Sequence, residues 1–295
     1  SRDIRNSNNL FHWTLNDSSI QDNYGGGFDV KLPYVWQYNE NFTHSLSIHN
    51  NTIVRNNDFE FIVDGHFARF NMSQNIFTDN RCKLGLISIN GMEKEMLIQD
   101  NRIEDNFVQF VVELNLQSHA DKFGVVEANF IKNIIRNNRE SSKKVVIDKY
   151  HPETYAMALR GVQEVNITRN IFENRNLQFE FLAGVLTGSL DGTINVEQNW
   201  WGTTNPTEIK KRIFDFDDWN SFSVAVVTPF LVRNNIYAEI TTSDMQDRTI
   251  NIDEPFGGRL FGNLVLSKRN RPYVINSDFT VMPEATLTID AGVEI

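Results

Sequence analysis

The sequence predicts an all-β chain wound as a right-handed parallel β-helix. Three observations predict it: a unit that repeats seven times, a two-residue apolar alternation inside each unit, and an unusual load of asparagine. Of 295 residues, 36 are Asn. Asn tolerates left-handed backbone and bonds to its own neighbouring backbone, so an Asn-rich chain is rich in turns.

Self-similarity carries the argument. Taking the first Asn of each unit as position zero gives Asn51, Asn75, Asn101, Asn133, Asn170 and Asn199, with Ser18 as a degenerate first member. The units are 33, 24, 26, 32, 37 and 29 residues apart. Five positions on stand Asn23, Asn56, Asn80, Asn106 and Asn138; the last two units slip by one, to Asn174 and Asn205. At offset +2 stand Ile20, Ile53, Phe77, Ile103, Ile135, Phe172 and Trp201. At −3 stand Leu15, Ile48, Met72, Ile98, Phe130, Ile167 and Val196, and at −5 Trp13, Leu46, Phe70, Met96, Ala128, Val165 and Ile194. All 21 positions are apolar in a chain that is 40% hydrophobic.

Positions −5 and −3 share one face of a strand, and position −4 faces the other way. There the chain has Thr14, Ser47, Asn71, Leu97, Asn129, Asn166 and Asn195, six of them polar. Each unit is therefore a short strand, apolar inward and polar outward, a tight turn at Asn, and a second inward segment. One such unit cannot bury its face alone, whereas stacked units bury a continuous core. The Asn of successive coils would line up as ladders of shared amide hydrogen bonds. Crossover connections between parallel strands are right-handed by strong preference. A β-sandwich has no reason to repeat one offset seven times. The fold expected is thus a pectin-lyase-like solenoid of about seven coils over residues 1–204. Its longest loops would be Gln117–Gly124 and Ser141–Thr154.

After Trp201 the pattern breaks. Asn205-Pro206-Thr-Glu208 reads as a helix start, with Asn as N-cap and Pro at the first helical position. The helix is expected to continue through Ile209–Phe214. Residues 205–235 read as a connector that caps the open coil, since an uncovered edge exposes unpaired backbone. Residues 236–295 read as the start of a second β-helix. There Leu260–Leu266 is expected as a strand, and Phe279/Val281, Leu287/Ile289 and Val293/Ile295 alternate around a turn at Met282-Pro283-Glu284. The chain starts at Ser1 without Met and stops within an alternating pattern, as expected of a piece of a longer protein.

The net charge is −10. No basic stripe is available to neutralise phosphates, so nucleic acid is not an expected partner. Cys82 is the one cysteine, and a small buried hydrophobe is its expected role. No apolar run is long enough to cross a bilayer.

β-Helices often carry polysaccharide lyases and hydrolases, so a carbohydrate-active enzyme, a lyase or epimerase, is the alternative reading. Lyase chemistry needs a calcium cluster and a basic proton acceptor. Hydrolysis needs paired carboxylates. The best acidic cluster is Asp215, Asp217 and Asp218; its place in the connector argues for a solvated or helix-capping role. Asp64-Gly-His66 resembles a tripeptide of galacturonan hydrolases, but their paired Asp motifs and Arg-x-Lys are absent. His12, His44, His49, His66, His119 and His151 lack the i, i+4 spacing of a zinc helix. Gly25-Gly-Gly27 lacks the strand–helix context of a phosphate cradle. No catalytic residue, metal site or cofactor is expected.

Asn16, Asn41, Asn50, Asn71 and Asn166 each begin an Asn-x-Ser/Thr glycosylation acceptor. Asn71 and Asn166 fall at the outward −4 position. Asn50, beside a ladder position, is the poorest candidate.

Three runs, Gln198-Asn-Trp-Trp-Gly-Thr203, Arg212-Ile-Phe-Asp-Phe-Asp-Asp-Trp-Asn220 and Thr228-Pro-Phe-Leu231, resemble the bark beetle (Anakonda) family of animal epithelial proteins. The end segment, Tyr273-Val through Val281-Met-Pro-Glu-Ala-Thr-Leu-Thr-Ile-Asp-Ala-Gly-Val-Glu-Ile295, resembles the opening of that family's next β-helix block. The resemblance covers essentially the whole chain. It implies a segment of a large single-pass membrane protein with β-helix blocks, scavenger-receptor cysteine-rich domains and a C-type-lectin-like domain. It further implies a place on the extracellular side of the plasma membrane, organising tricellular septate junctions. Other junction or cell-surface proteins, and glycans, would be the partners. Contact with the membrane would come only through parts outside this chain. No catalytic residues come with the resemblance.

Overall fold

The computed structural model describes residues 11–32, 44–65, 68–91, 95–116, 127–142, 151–162, 164–186, 192–241 and 250–295. Three parallel sheets run the length of a stack of coils. Sheet 1 comprises His12–Asn16, His44–His49, Ala68–Ser73, Glu95–Gln99, Glu127–Ile131 and Asn166–Thr168. Sheet 2 comprises Ser19–Gln21, Thr52–Val54, Ile76–Thr78, Arg102–Glu104, Ile134–Arg136 and Ile171–Glu173. Sheet 3 comprises Phe28–Lys31, Phe61–Gly65, Gly85–Gly91, Phe110–Leu116, Tyr155–Gly161, Phe179–Leu186 and Ile213–Phe214. Each coil visits the sheets in that order, which makes the fold a parallel β-helix.

The register follows the expected offsets. In sheet 1, Leu15, Ile48, Met72, Ile98, Phe130 and Ile167 pair in succession, and so do Trp13, Leu46, Phe70, Met96 and Ala128. In sheet 2, Ile20, Ile53, Phe77, Ile103, Ile135 and Phe172 form the matching column. These columns and the inner face of sheet 3 close one continuous apolar core. Non-directional burial of apolar surface drives the stacking. The repeat spacing varies because the connections between sheets vary. The expected excursion Gln117–Gly124 and most of Ser141–Thr154 lie outside the described residues.

Trp201 takes the last place in the +2 column. It is 1% exposed, packs flat on Phe172 with ring centroids 5.0 Å apart, and meets Phe181 edge-on. Gly202 follows with φ of +80°, a conformation glycine adopts at no steric cost, and the chain turns out of the coil.

The helix after it is shorter than expected. It spans Pro206–Lys210, with the Asn205 side chain accepting from the Thr207 and Glu208 backbone. Ile213–Phe214 is a strand instead of the helix's end. The open edge of Phe179–Leu186 offers unpaired backbone groups, and Ile213 pairs with Phe181 and enters the core. The connector also carries the stack onward: Val224–Val226 pairs with Thr193–Asn195, and Leu231 donates its N–H to the Asn199 carbonyl. It thus adds most of another coil to the stack.

Two outer faces acquire cover. On sheet 3, Phe110 stacks on Tyr155 at 5.5 Å, and Phe214 and Phe222 continue a packed aromatic patch with Trp219. On sheet 2, Ile171 and Trp200 pack against Leu231, Ile236 and Ala238.

Residues 250–295 form two parallel pairs, Phe256–Leu260 with Ile275–Val281 and Asn263–Leu266 with Thr286–Ile289. They have a core of their own around Phe256, Leu266 and Tyr273. The expected single strand Leu260–Leu266 is divided at Phe261–Gly262, because the two halves belong to different sheets. Met282–Ala285 is the expected turn, with Glu284 at φ of 69°. Val293 and Ile295 are not in a strand; the Glu294 carbonyl accepts from the Tyr273 backbone there.

Candidate functional site

Two lines of asparagine run along the corners flanking sheet 2. In the first, the side-chain amide of Asn51 donates to Asn75, Asn75 to Asn101, Asn101 to Asn133, Asn133 to Asn170 and Asn170 to Asn199, at 2.9–3.1 Å. Each amide oxygen also accepts the backbone N–H of the previous Asn, as Asn101 does from Asn75. Each Nδ2 has a further backbone acceptor; that of Asn101 reaches the Met72 and Gln99 carbonyls. Ser18 joins through its backbone N–H alone. Buried amides are costly unless every polar atom is bonded, and here the stack bonds them.

The second line joins Asn23, Asn56, Asn80, Asn106, Asn138 and Asn174. Asn205, expected as its last rung, is instead the exposed helix N-cap, because the chain has already left the coil at Gly202. The rung is supplied by Glu180: its carboxylate accepts the Asn174 backbone N–H at 2.6 Å and the Asn174 Nδ2 at 2.7 Å. Arg212 pairs with that carboxylate at 3.0 Å and donates to the Asn174, Leu177 and Gln178 carbonyls. Burial pushes the Glu180 carboxyl above its usual range, and the Arg212 charge opposes this.

The left-handed turns sit one residue earlier than the Asn content suggests. Asp17, Asn50, Gln74, Asp100, Lys132, Arg169 and Gln198 precede the first ladder with φ between 50° and 61°. Asp22, Arg55, Asp79, Asp105 and Asn137 do so before the second. The ladder Asn themselves keep negative φ, so Asn is used there for its amide rather than for its backbone tolerance.

The acidic cluster is not a solvated one. Asp215 is buried, and its carboxylate accepts from the Asp217 and Ala225 backbone. Asp217 pairs with Arg259 at 2.6 Å and with Lys210 at 3.3 Å. Ser277 donates to the Asp217 carbonyl, and the Asp278 carboxylate accepts from the Asn220 backbone. The cluster therefore joins the connector to residues 250–295. Sequence separation hid this, since Asp217 and Arg259 are 42 residues apart.

A cleft of about 230 Å³ lies beside Trp201 and is lined by Glu173, Arg175, Glu180, Thr203, Glu208 and Arg212 among others. Its innermost charges, Glu180 and Arg212, are the ladder cap. Among the described residues no three His, Cys, Asp or Glu side chains converge as a metal site. Asp64 accepts from Asn90 at 2.7 Å, and His66 and His119 lie outside the described residues. Cys82 is buried, and burial pushes its thiol up, away from reactivity. Among the described residues no helix is long and apolar enough to cross a membrane.

Of the glycosylation acceptors, Asn16, Asn71 and Asn166 are exposed on strands of sheet 1. Asn50 is exposed on the corner after that sheet and donates to Asp17 at 2.7 Å. Asn41 lies outside the described residues.

Along 99% of its length the chain is 40% identical to the protein bark beetle of Drosophila melanogaster. The chain belongs to the bark beetle family. It spans 10% of that relative's own length. No protein-family model and no solved structure matches the chain. The relative's name is not that of an enzyme. The matched stretch covers 99% of the chain, and so takes in the ladders, the connector and residues 250–295 alike.

Proposed function

We propose that the chain is a non-catalytic extracellular β-helix scaffold within a cell-surface adhesion protein, organising tricellular septate junctions in epithelia. The observation that carries this reading is the end-to-end similarity to bark beetle. The structure supplies a physical rationale. A core closed by three sheets and two uninterrupted amide ladders resists bending. At about 4.8 Å per coil, seven coils give a strut on the order of 35 Å. The charged clusters serve as structural fastenings: Glu180 and Arg212 end a ladder, and Asp217 and Arg259 hold a joint. Partners are other junction or cell-surface proteins, and glycans, met on the outer faces.

The test is deletion of residues 1–295 from the protein that carries them, read in epithelial cells as enrichment at three-cell vertices and in suspended cells as aggregation. Loss of both is expected. Unchanged localisation and aggregation would sink the scaffold reading. Turnover of an acidic polysaccharide by the purified chain would move the assignment to a carbohydrate-active β-helix instead.

A further inference from the structure

The positions of the glycosylation acceptors on the folded coil point to a one-sided modification. Asn16 lies on the first strand of sheet 1, Asn71 on the third and Asn166 on the sixth. Side chains alternate across a strand. Thr14, Ser47, Asn71, Leu97, Asn129 and Asn166 form one outward row in paired register. Asn16, two residues on from Thr14, belongs to the neighbouring outward row. All three asparagines are exposed. With strands about 4.8 Å apart, they are separated by roughly 10 Å and 14 Å along the stack, so glycans can stand side by side. Asn166 donates to Asn129 at 3.0 Å at an exposed site where water can replace that bond.

The other two faces differ. The aromatic patch with Phe222 and Trp219 covers the upper part of sheet 3, and Leu231, Ile236 and Ala238 cover that of sheet 2. Among the described residues the outer face of sheet 1 has no such cover; its side chains there are exposed or half-buried apart from Ser73.

We infer that N-linked glycans at Asn16, Asn71 and Asn166 coat the outer face of sheet 1, so that protein partners approach the strut through its other faces. The inference rests on the extracellular reading above. The chemistry is glycosyl transfer from a lipid-pyrophosphate-linked oligosaccharide. The Asn Nδ2 forms a bond to the anomeric carbon as the bond from that carbon to the pyrophosphate oxygen breaks. Nδ2 loses a proton and the lipid pyrophosphate departs. Asn50 is excluded from the coat because it sits on the corner beyond the strand, with φ of 54°, and so turns off the face.

The test is secretion of the chain from mammalian cells behind a signal peptide, with an appended Asn-Gly-Thr tag as an internal acceptor. Peptide-N-glycosidase treatment in heavy-oxygen water, followed by peptide mass spectrometry, marks each occupied Asn as labelled Asp. Label at Asn16, Asn71 and Asn166 is expected. Asn71→Gln and Asn166→Gln should each remove one glycan's mass and leave the melting temperature of the enzymatically deglycosylated chain unchanged. A chain whose tag is glycosylated while any of the three is bare overturns the coat. Because secretion is forced, that result leaves the adhesion reading standing, and a failed junction assay leaves the glycan map standing.

Discussion

Asn101 shows what one ladder residue contributes. Its oxygen accepts from the backbone and side chain of Asn75, and its Nδ2 serves Asn133 and the Met72 and Gln99 carbonyls. Leucine has nearly the same size and none of these bonds. Each buried group left unpaired costs about 1–3 kcal/mol, so Asn101→Leu is expected to cost about 3–5 kcal/mol in all. Thermal or urea unfolding measures it, and an unchanged midpoint would refute the role given to the ladder. The preceding corner sets a separate constraint. Lys132 holds φ of 57°, where β-branched residues are outliers and Asn is tolerated. Lys132→Val should destabilise by about 1–2 kcal/mol, while Lys132→Asn should match the parent; equal stability of both variants would show that the corner is not strained.

The end of the second ladder is decided by packing between elements. Glu180 comes from a strand of sheet 3, Asn174 from the corner after sheet 2, and Arg212 from the turn before Ile213–Phe214. Removing one member of a buried ion pair strands the other charge, at a cost of about 3–5 kcal/mol. Arg212→Met is therefore expected to be the harsher change. Glu180→Gln keeps an oxygen for Asn174 and should cost about 1–2 kcal/mol. Denaturant midpoints rank the two, and the opposite order would mean that the carboxylate, not the pairing, holds the cap. The inward columns through Ile53, Met72 and Phe172 were legible in the sequence because parallel stacking repeats one offset in every coil. The cap was not, because Glu180 replaces an Asn at a different spacing and only folding brings it to Asn174. Asn205 was misread for the converse reason: it keeps the spacing of a rung after the chain has left the stack. Asp217 looked solvated because its partner Arg259 comes from another block.

At the scale of the whole molecule, the joint between the main coil and residues 250–295 is expected to respond to pH. Burial, with help from the Asp217 charge, pushes the Asp215 carboxyl up to about 6. Burial, with help from Asp215 and Asp217, pushes Asp218 up to about 7. Burial acts on Asp217 in the same direction, but Arg259 and Lys210 hold it below the usual range. Asp278 also faces the cluster: its backbone N–H donates to the Asp218 carbonyl and its carboxylate accepts from the Asn220 N–H. A carboxyl raised by folding is happiest protonated, so its contribution is full below the unfolded value near 3.8 and is lost as pH rises through 6 and 7. Asp217 works the other way, but only below about pH 4, where its ion pairs fail. Between pH 5 and pH 8 stability should therefore fall as pH rises, by on the order of 2 kcal/mol for Asp218 alone. Asp218→Asn keeps an acceptor for the Asp215 backbone and removes the charge. It should raise the melting temperature at pH 8 and remove most of the difference between pH 5 and pH 8. Arg259→Met supplies the complementary check, since it leaves Asp217 poorly paired at every pH above 4 and should loosen the second block, seen as faster amide exchange across Phe256–Leu260. A melting temperature that climbs from pH 5 to pH 8 in the parent chain would place the ionised carboxylates, not the neutral ones, at the centre of the joint.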